Sequence, residues 1–163
     1  MLIAICVVNM NKVNAIDDEI VTFNDANLKS LLISKGYDFN GDGELSKSEM
    51  EKMINFPGGY STFSDLTGLE YAINLETLYL ANQNITDISP LSSLTNLGYL
   101  NLCNNNITDI SPLSSLTNLK RLHLSDNQIT DITALSSLTN LAELGINNNS
   151  IRDISALSNI SNI

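Results

Sequence analysis

The chain has 163 residues, of which only 16% are charged, with 8 Lys and Arg against 18 Asp and Glu. The formal net charge of −10 disfavours nucleic acid and anionic membranes as partners, because both recruit clustered Lys and Arg. The length suffices for one sizeable core, or for a small domain joined to a repeat array.

The first fifteen residues have the pattern of an export signal. A short apolar run over residues 2–8 precedes a polar stretch and then Val13-Asn14-Ala15, whose spacing suits signal peptidase. We therefore predict a signal-peptide remnant over 1–15 and a secreted or cell-surface protein. The run is too short to span a bilayer, and the alternative is a strand or helix of the folded domain.

Residues 16–55 are predicted to form a helical cap. Asn24 or Asp25 can cap a first helix, and Gly36 marks its end. The apolar positions of this helix recur at helical spacing and are Leu28, Leu31 and Leu32. Glu49 is predicted to begin a second helix. The apolar stripe of that helix consists of Met50, Met53 and Ile54.

Between the two helices lies DFNGDGELSKSE from Asp38, which has the pattern of an EF-hand calcium loop. Calcium prefers oxygen ligands, and alternate residues of a tight loop turn such oxygens inward. The predicted Ca2+ ligands are the side chains of Asp38, Asn40 and Asp42, the backbone carbonyl of Glu44, Ser46 directly or through water, and both carboxylate oxygens of Glu49. A single loop favours a structural site over a calcium switch. The alternatives are a chance Asp/Asn/Gly turn and a dockerin module, which usually carries two such loops.

The rest of the chain, 56–163, is organised by a 22-residue unit that is written four times from Asn74. A fixed period of this length indicates a solenoid, in which each unit buries its apolar face against its neighbours. Shifting the sequence by one period reveals a degenerate copy before the first, with Phe56 in the place of Leu78. The last two residues begin a further copy, so we expect the chain to be part of a longer protein.

Each copy predicts a short strand, a turn and a returning convex segment. The strand directs two apolar side chains inward, and these pairs are Leu78/Leu80, Leu100/Leu102, Leu122/Leu124 and Leu144/Ile146. A fixed position on the convex side can begin a short helical turn and holds Pro90, Pro112, Ala134 and Ala156. Asn105, Asn127 and Asn149 form a column whose amides can satisfy backbone groups of adjacent coils. Gln83 replaces Asn in the first copy.

The pattern L-x-x-L-x-L-x-x-N-x-I-x-D-I resembles the leucine-rich repeats of bacterial internalin-type surface proteins. VTFND from Val21 and DLTGLEYA from Asp65 resemble the internalin cap and its junction with the repeats. The resemblance implies an α/β solenoid with parallel strands on the concave face and an EF-hand-like helical N-terminal cap. It also implies a secreted or surface location and protein ligands. The alternative is the eukaryotic phosphatase-regulator type of repeat, which the cap and the signal-like start disfavour.

Comparison of the four copies locates the face that varies. The convex segment barely changes, whereas the outward strand positions differ, and neighbouring strands lie about 4.8 Å apart. Tyr and Arg are enriched at binding hot spots, so these positions predict contacts with a protein partner. The predicted contact residues are Tyr79, Tyr99, Asn101, Arg121, His123 and Glu143. The alternative is a structural spacer or adhesin stalk with no specific ligand on these repeats.

An enzymatic function is not predicted. Cys103, His123 and Glu143 share the variable face and superficially offer a nucleophile, a base and an acid. An open sheet cannot exclude water, and the sequence offers them no oxyanion hole or glycine-rich turn. Because Cys6 lies in the predicted signal, the mature chain would have a single thiol and no internal disulfide. A monomer is expected, although the sequence leaves the oligomeric state open.

Overall fold

The computed structural model describes residues 18–59, 61–161 and 163, so the predicted signal segment lies outside the described residues. Two helices come first, α1 Ala26–Ser34 and α2 Lys47–Met50. One parallel sheet follows in the order β1 Asn55–Phe56, β2 Thr77–Tyr79, β3 Tyr99–Asn101, β4 Arg121–His123 and β5 Glu143–Gly145. The chain returns through 3₁₀-helices at Leu69–Tyr71, Ser89–Ser93, Ser111–Ser115, Thr133–Ser137 and Ser155–Leu157.

The strands pair at the register of the sequence repeat. Thr77 lies opposite Tyr99, and Tyr99 lies opposite Arg121, each one 22-residue period further along the chain. This register confirms the predicted solenoid with parallel strands. Phe56 of β1 pairs with Leu78, one period further along the chain, at the edge of the sheet.

The core is one continuous column of apolar side chains. The predicted inward residues are fully buried from Leu78 to Leu124, whereas Leu144 and Ile146 in the last coil are partly exposed. Each such buried side chain contributes about 1.5–3 kcal/mol to folding, so stacking of successive coils supplies most of the stability. The convex positions Pro90 and Pro112 lie in the first turn of their 3₁₀-helices, as predicted.

The buried asparagine column hydrogen-bonds to its own coil and to the preceding one, rather than to the coils on both sides as predicted. Asn127 Oδ1 accepts from the backbone N–H of Ile107 at 3.0 Å. Its Nδ2 donates to the carbonyls of Leu102 and Leu124 at 2.9 and 3.0 Å. One side chain therefore joins two adjacent coils, and no buried side-chain polar atom within the described residues lacks a partner.

A second asparagine column was not predicted from the sequence. The first residue of each regular copy donates its side-chain N–H to a backbone carbonyl 23 residues earlier, at 2.8–3.0 Å. The members of this column are Asn74, Asn96, Asn118 and Asn140. Its signal in the sequence is the unchanged Asn that begins every copy, which the spacing of the repeats alone does not explain.

In the cap, α1 agrees with the sequence, since Asp25 Oδ1 accepts from the N–H groups of Asn27 and Leu28. The prediction for the second helix is wrong at both ends. Helix α2 begins at Lys47 because Glu49 closes a capping box, and it ends at Met50. Ile54 is 42% exposed, and its backbone carbonyl accepts from Glu76 N–H (2.8 Å) where the chain joins the sheet.

The two stretches that resemble an internalin cap and its junction contact each other. Asn24 Nδ2 donates to Asp65 Oδ2 at 3.2 Å and to Thr67 Oγ1 at 3.1 Å. Gly68 has φ +103°, and a Cβ there would lie 2.5 Å from the ring of Phe23, so this contact requires glycine. The cap and the repeats consequently share one core.

Replacement of the buried column should destabilise the whole solenoid. We expect Asn127→Ala to reduce the free energy of unfolding by about 1–3 kcal/mol, because it leaves buried backbone groups without partners. Urea denaturation followed by circular dichroism measures the change. The matched control is Asn106→Ala, an exposed residue of the preceding copy, for which about 0.5 kcal/mol or less is expected. Equal effects of the two substitutions would contradict the role of the column.

Candidate functional site

The outward residues of β2 to β5 form two aligned columns on the face of the sheet. The first column contains Thr77, Tyr99, Arg121 and Glu143. The second column contains Tyr79, Asn101, His123 and Gly145. All six residues predicted to contact a partner therefore lie on one face, which we call the strand face.

Four of these residues form a connected cluster around Tyr99. The ring centroids of Tyr79 and Tyr99 lie 4.6 Å apart, and those of Tyr99 and His123 lie 5.5 Å apart. The guanidinium carbon of Arg121 lies 5.0 Å from the centroid of the Tyr99 ring. Such a cation–π contact contributes about 0.5–1 kcal/mol at an exposed position. We call Tyr79, Tyr99, Arg121 and His123 the aromatic patch.

The phenol of Tyr99 has a raised pKa. Burial, and then a hydrogen bond with the Tyr79 hydroxyl, raise the pKa of Tyr99 above that of free tyrosine. The ring remains uncharged at physiological pH, so it can accept Arg121 against its face and apolar groups beside it.

The remaining predicted contact residues border the patch. Glu143 Oε1 lies 3.5 Å from His123 Nε2, and Asn101 Oδ1 accepts from the backbone N–H of Cys103 at 3.0 Å. Cys103 is partly buried near the end of β3. His123 contacts both Tyr99 and Glu143.

A cavity of about 420 Å³ adjoins the patch and was not predicted. It lies beside the first column, next to the residues that directly precede β2, β3 and β4. That position varies among the copies and holds Glu76, Gly98, Lys120 and Ala142. Its lining includes Glu76, Gly98, Tyr99, Lys120 and Arg121. The variation at this position, just before each strand, was the available signal in the sequence.

The predicted calcium loop is wrapped by hydrogen bonds from its own backbone. Asp38 accepts from the N–H groups of Gly41 and Gly43 at 2.7 and 2.9 Å. Asn40 Oδ1 accepts from Asp42 N–H at 2.9 Å, and Asp42 in turn accepts from the next alternate residue. These side-chain oxygens therefore accept hydrogen bonds from the backbone of the loop itself.

Glu49 is buried and fully hydrogen-bonded. Its Oε1 accepts from Phe39 N–H at 2.9 Å and from Asn40 N–H at 3.2 Å. Its Oε2 accepts from the N–H and the hydroxyl of Ser46 at 2.9 and 3.0 Å. The side chain of Glu44 points elsewhere and pairs with Lys29 at 2.6 Å. Within the described residues, no three His, Cys, Asp or Glu side chains converge as a metal site.

The exit of the loop is paired with a strand segment from upstream. Ile20 and Ser46 form an antiparallel bridge, in which Val21 N–H donates to the Leu45 carbonyl at 2.8 Å. In paired EF-hands a second hand supports this position, whereas here the segment before α1 does so. The loop therefore has local support without a second hand.

A family model for leucine-rich repeats matches residues 73–115 and 117–159. The two matches cover more than half of the chain, and the chain belongs to the leucine-rich repeat family. A search of curated proteins gives no significant match.

Solved structures of bacterial proteins share the fold. An internalin (inlF) of Listeria monocytogenes matches 86% of this chain at 35% identity with a TM-score of 0.80. Internalin C2 of the same species matches 71% at 41% identity with a TM-score of 0.66. A leucine-rich repeat protein of Leptospira interrogans matches 71% at 26% identity with a TM-score of 0.62. The matches span only 42%, 51% and 32% of those proteins' own lengths.

These similarities confirm the predicted repeats and their likeness to internalins. They leave the EF-hand character of the cap as a prediction. In the part of the chain that the structure describes, no helix combines the length and apolar character needed to cross a membrane.

The contact between Tyr79 and Tyr99 should be measurable in the free protein. A double-mutant cycle with alanine at both positions should give a coupling energy of about 0.5–1.5 kcal/mol, as expected for aromatic pairs beyond their burial. Urea denaturation of the wild type, both single variants and the double variant supplies the four free energies. Additive effects would contradict an assembled patch.

Proposed function

We propose that this chain is a non-enzymatic module that binds another protein through its strand face. The observation that carries the proposal is the aromatic patch, in which Tyr and Arg contact one another on an otherwise polar surface. Tyr and Arg are the residue types that dominate hot spots of protein interfaces. The internalin-like repeats support the same function.

Mutual contact within the patch favours binding. Arg121 lies over Tyr99, and Tyr99 lies between Tyr79 and His123, so the side chains are partly ordered before a partner arrives. Ordering a flexible side chain on binding costs about 0.5–1.5 kcal/mol, and prior contact reduces that cost. The returning 3₁₀-helices offer no comparable cluster, because their exposed residues are mainly serine and threonine repeated in every copy.

We place this activity outside the cell, in a secreted or surface-displayed protein. The export-signal pattern of residues 1–15 and the similarity to internalins support this location. The expected partner is therefore a protein of a cell surface or of the extracellular space.

The binding proposal is tested by a triple alanine variant at Tyr79, Tyr99 and Arg121. Extracellular and cell-surface proteins are captured on the wild-type chain, and the affinity of each purified captured protein is then measured for both forms. The triple variant should bind at least about thirtyfold more weakly, because hot-spot truncations cost about 2 kcal/mol or more.

The matched control is a second triple alanine variant, at Ser92, Ser114 and Ser136, with one substitution in each of three successive copies. Their hydroxyls donate only to carbonyls of their own 3₁₀-helices, so their replacement leaves the strand face intact. Equal affinity of wild type and the Tyr79/Tyr99/Arg121 variant would reject binding through the strand face. Capture of no protein by the wild type would reject the proposal in favour of a structural spacer.

We also propose that the loop from Asp38 to Glu49 binds calcium and stabilises the cap. The donor set contains only oxygen and fits a hard cation. The residues that would hold the ion are Asp38, Asn40, Asp42, Glu44 through its carbonyl, Ser46 and Glu49. Calcium supplies charge neutralisation to a loop rich in carboxylates. Binding requires Glu49 to exchange hydrogen bonds from Phe39 and Asn40 for the ion, which favours weak affinity.

Calcium should therefore raise the melting temperature modestly. Extracellular EF-hand sites bind at about 10⁻⁴–10⁻³ M, and a concentration tenfold above Kd stabilises by about 1.4 kcal/mol. Glu49→Gln should abolish the calcium-dependent rise, whereas Glu44→Gln should retain it, because the Glu44 side chain pairs with Lys29. Thermal denaturation with calcium or with chelator measures the difference. A wild-type melting curve that calcium leaves unchanged would contradict the site.

A further inference from the structure

The cavity beside the aromatic patch has chemistry that the proposed function does not use. It opens on the strand face next to Tyr99, and its walls carry Glu76 on one side and Lys120 and Arg121 on the other. Gly98 lies between these walls in the column that precedes the strands. We call this cavity the Gly98 notch.

The fold does not require glycine at position 98. Gly98 is not among the residues with positive φ, and an added Cβ would meet only the Glu76 carbonyl oxygen, at an ordinary 3.8 Å. Other copies carry Glu76 and Lys120 at the same position, so long side chains are compatible with the repeat. Neither strain nor packing explains the glycine, and its consequence is the notch itself.

The notch is positive in a strongly negative chain. Lys120 and Arg121 are the only Lys or Arg between Lys52 and Arg152, and both line it. Within the described residues, each lacks a carboxylate at salt-bridge distance, whereas Lys29 and Lys47 both have one at 2.6 Å.

Two carboxylates lie near the notch, and neither is at salt-bridge distance from Lys120 or Arg121. Glu76 on the opposite wall is the single acidic residue among those that line the cavity. Glu143, which follows Arg121 in the first column, lies 3.5 Å from His123. Arg121 is held over the Tyr99 ring, which fixes its position and reduces the entropy lost on pairing with an anion.

We propose that the Gly98 notch receives the carboxylate of an Asp or Glu side chain of the protein partner. Lys120 and Arg121 donate charge-assisted hydrogen bonds to that carboxylate, and the Tyr99 ring forms the wall shared with the aromatic patch. The aromatic patch packs against apolar groups of the partner next to this acidic residue. The notch fixes the position of the partner along the strand face. This inference rests on the proposed function, because it assigns the chemistry of one contact on the same face.

The test uses amide chemical shifts of the isotope-labelled full chain. The probes are the peptide acetyl-Glu-Tyr-Glu-Tyr-Glu-amide and the same peptide with Gln in place of Glu. The acidic peptide should shift the amides of Gly98, Lys120 and Arg121 to saturation, with about tenfold higher affinity than the Gln peptide, since a charged hydrogen bond contributes about twice as much as a neutral one. Equal affinities, or shifts confined to other residues, would overturn the inference.

Two variants separate filling of the notch from a change in the fold. Gly98→Gln fills the notch without altering charge and should abolish the difference between the two peptides. Ala142→Gln adds the same side chain to the same column outside the notch and should preserve that difference. Thermal denaturation verifies that both variants fold. If both retain the difference, the notch is not the site and the inference fails.

Two further results distinguish this inference from neighbouring ones. Inorganic phosphate and N-acetylneuraminic acid are titrated separately, and shifts at Gly98 and Lys120 as strong as those of the peptide would identify a general anion or glycan site instead.

If the captured protein partner loses affinity for the Tyr79/Tyr99/Arg121 variant but binds Gly98→Gln and Lys120→Gln like wild type, the proposed function stands and the notch assignment falls. If all variants bind alike, both fail.

Discussion

Hydrogen bonding between successive coils, through buried asparagine side chains, is the interaction on which this structure depends. The strands are only two or three residues long, and backbone hydrogen bonds between coils continue on both sides of them. The side chains of Asn105 and Asn127 hydrogen-bond to backbone groups of adjacent turns, so these groups have partners inside the core. Leucine and isoleucine can then fill the interior without leaving polar groups stranded. The geometry of the strand face follows from this arrangement, because the coils fix the spacing of the outward columns.

Variable and core positions are consequently divided between the two sides of each strand. Leu100 and Leu122 point inward and repeat without change, whereas Tyr99, Arg121 and their neighbours point outward and differ in every copy. An outward substitution leaves the core intact, so the surface can change with little cost to the fold. The Gly98 notch illustrates this division, because a residue dispensable for packing determines the shape of the surface.

The sequence determined the fold more completely than the site. A period of 22 residues fixed the register of β2 to β5, and the position of Phe56 located the degenerate copy. The second helix was misplaced because helical spacing continues to Ile54, while tertiary pairing with Glu76 straightens the chain there. The residues of the aromatic patch were predicted from the sequence. The diagonal packing of Tyr79 on Tyr99 was not predicted, because it depends on side-chain rotamers. The Gly98 notch exists because residue 98 has no side chain. The residue types that are enriched at binding sites do not reveal such a feature.

Hydroxyl-radical footprinting of the chain, free and bound to its captured partner, tests the central claim most directly, because it labels aromatic side chains according to their exposure. The account predicts that binding protects Tyr79 and Tyr99, while Tyr71 beside the cap, outside the strand face, is labelled equally in both states. Unchanged labelling of Tyr79 and Tyr99 in the bound state would contradict a binding surface on the strand face.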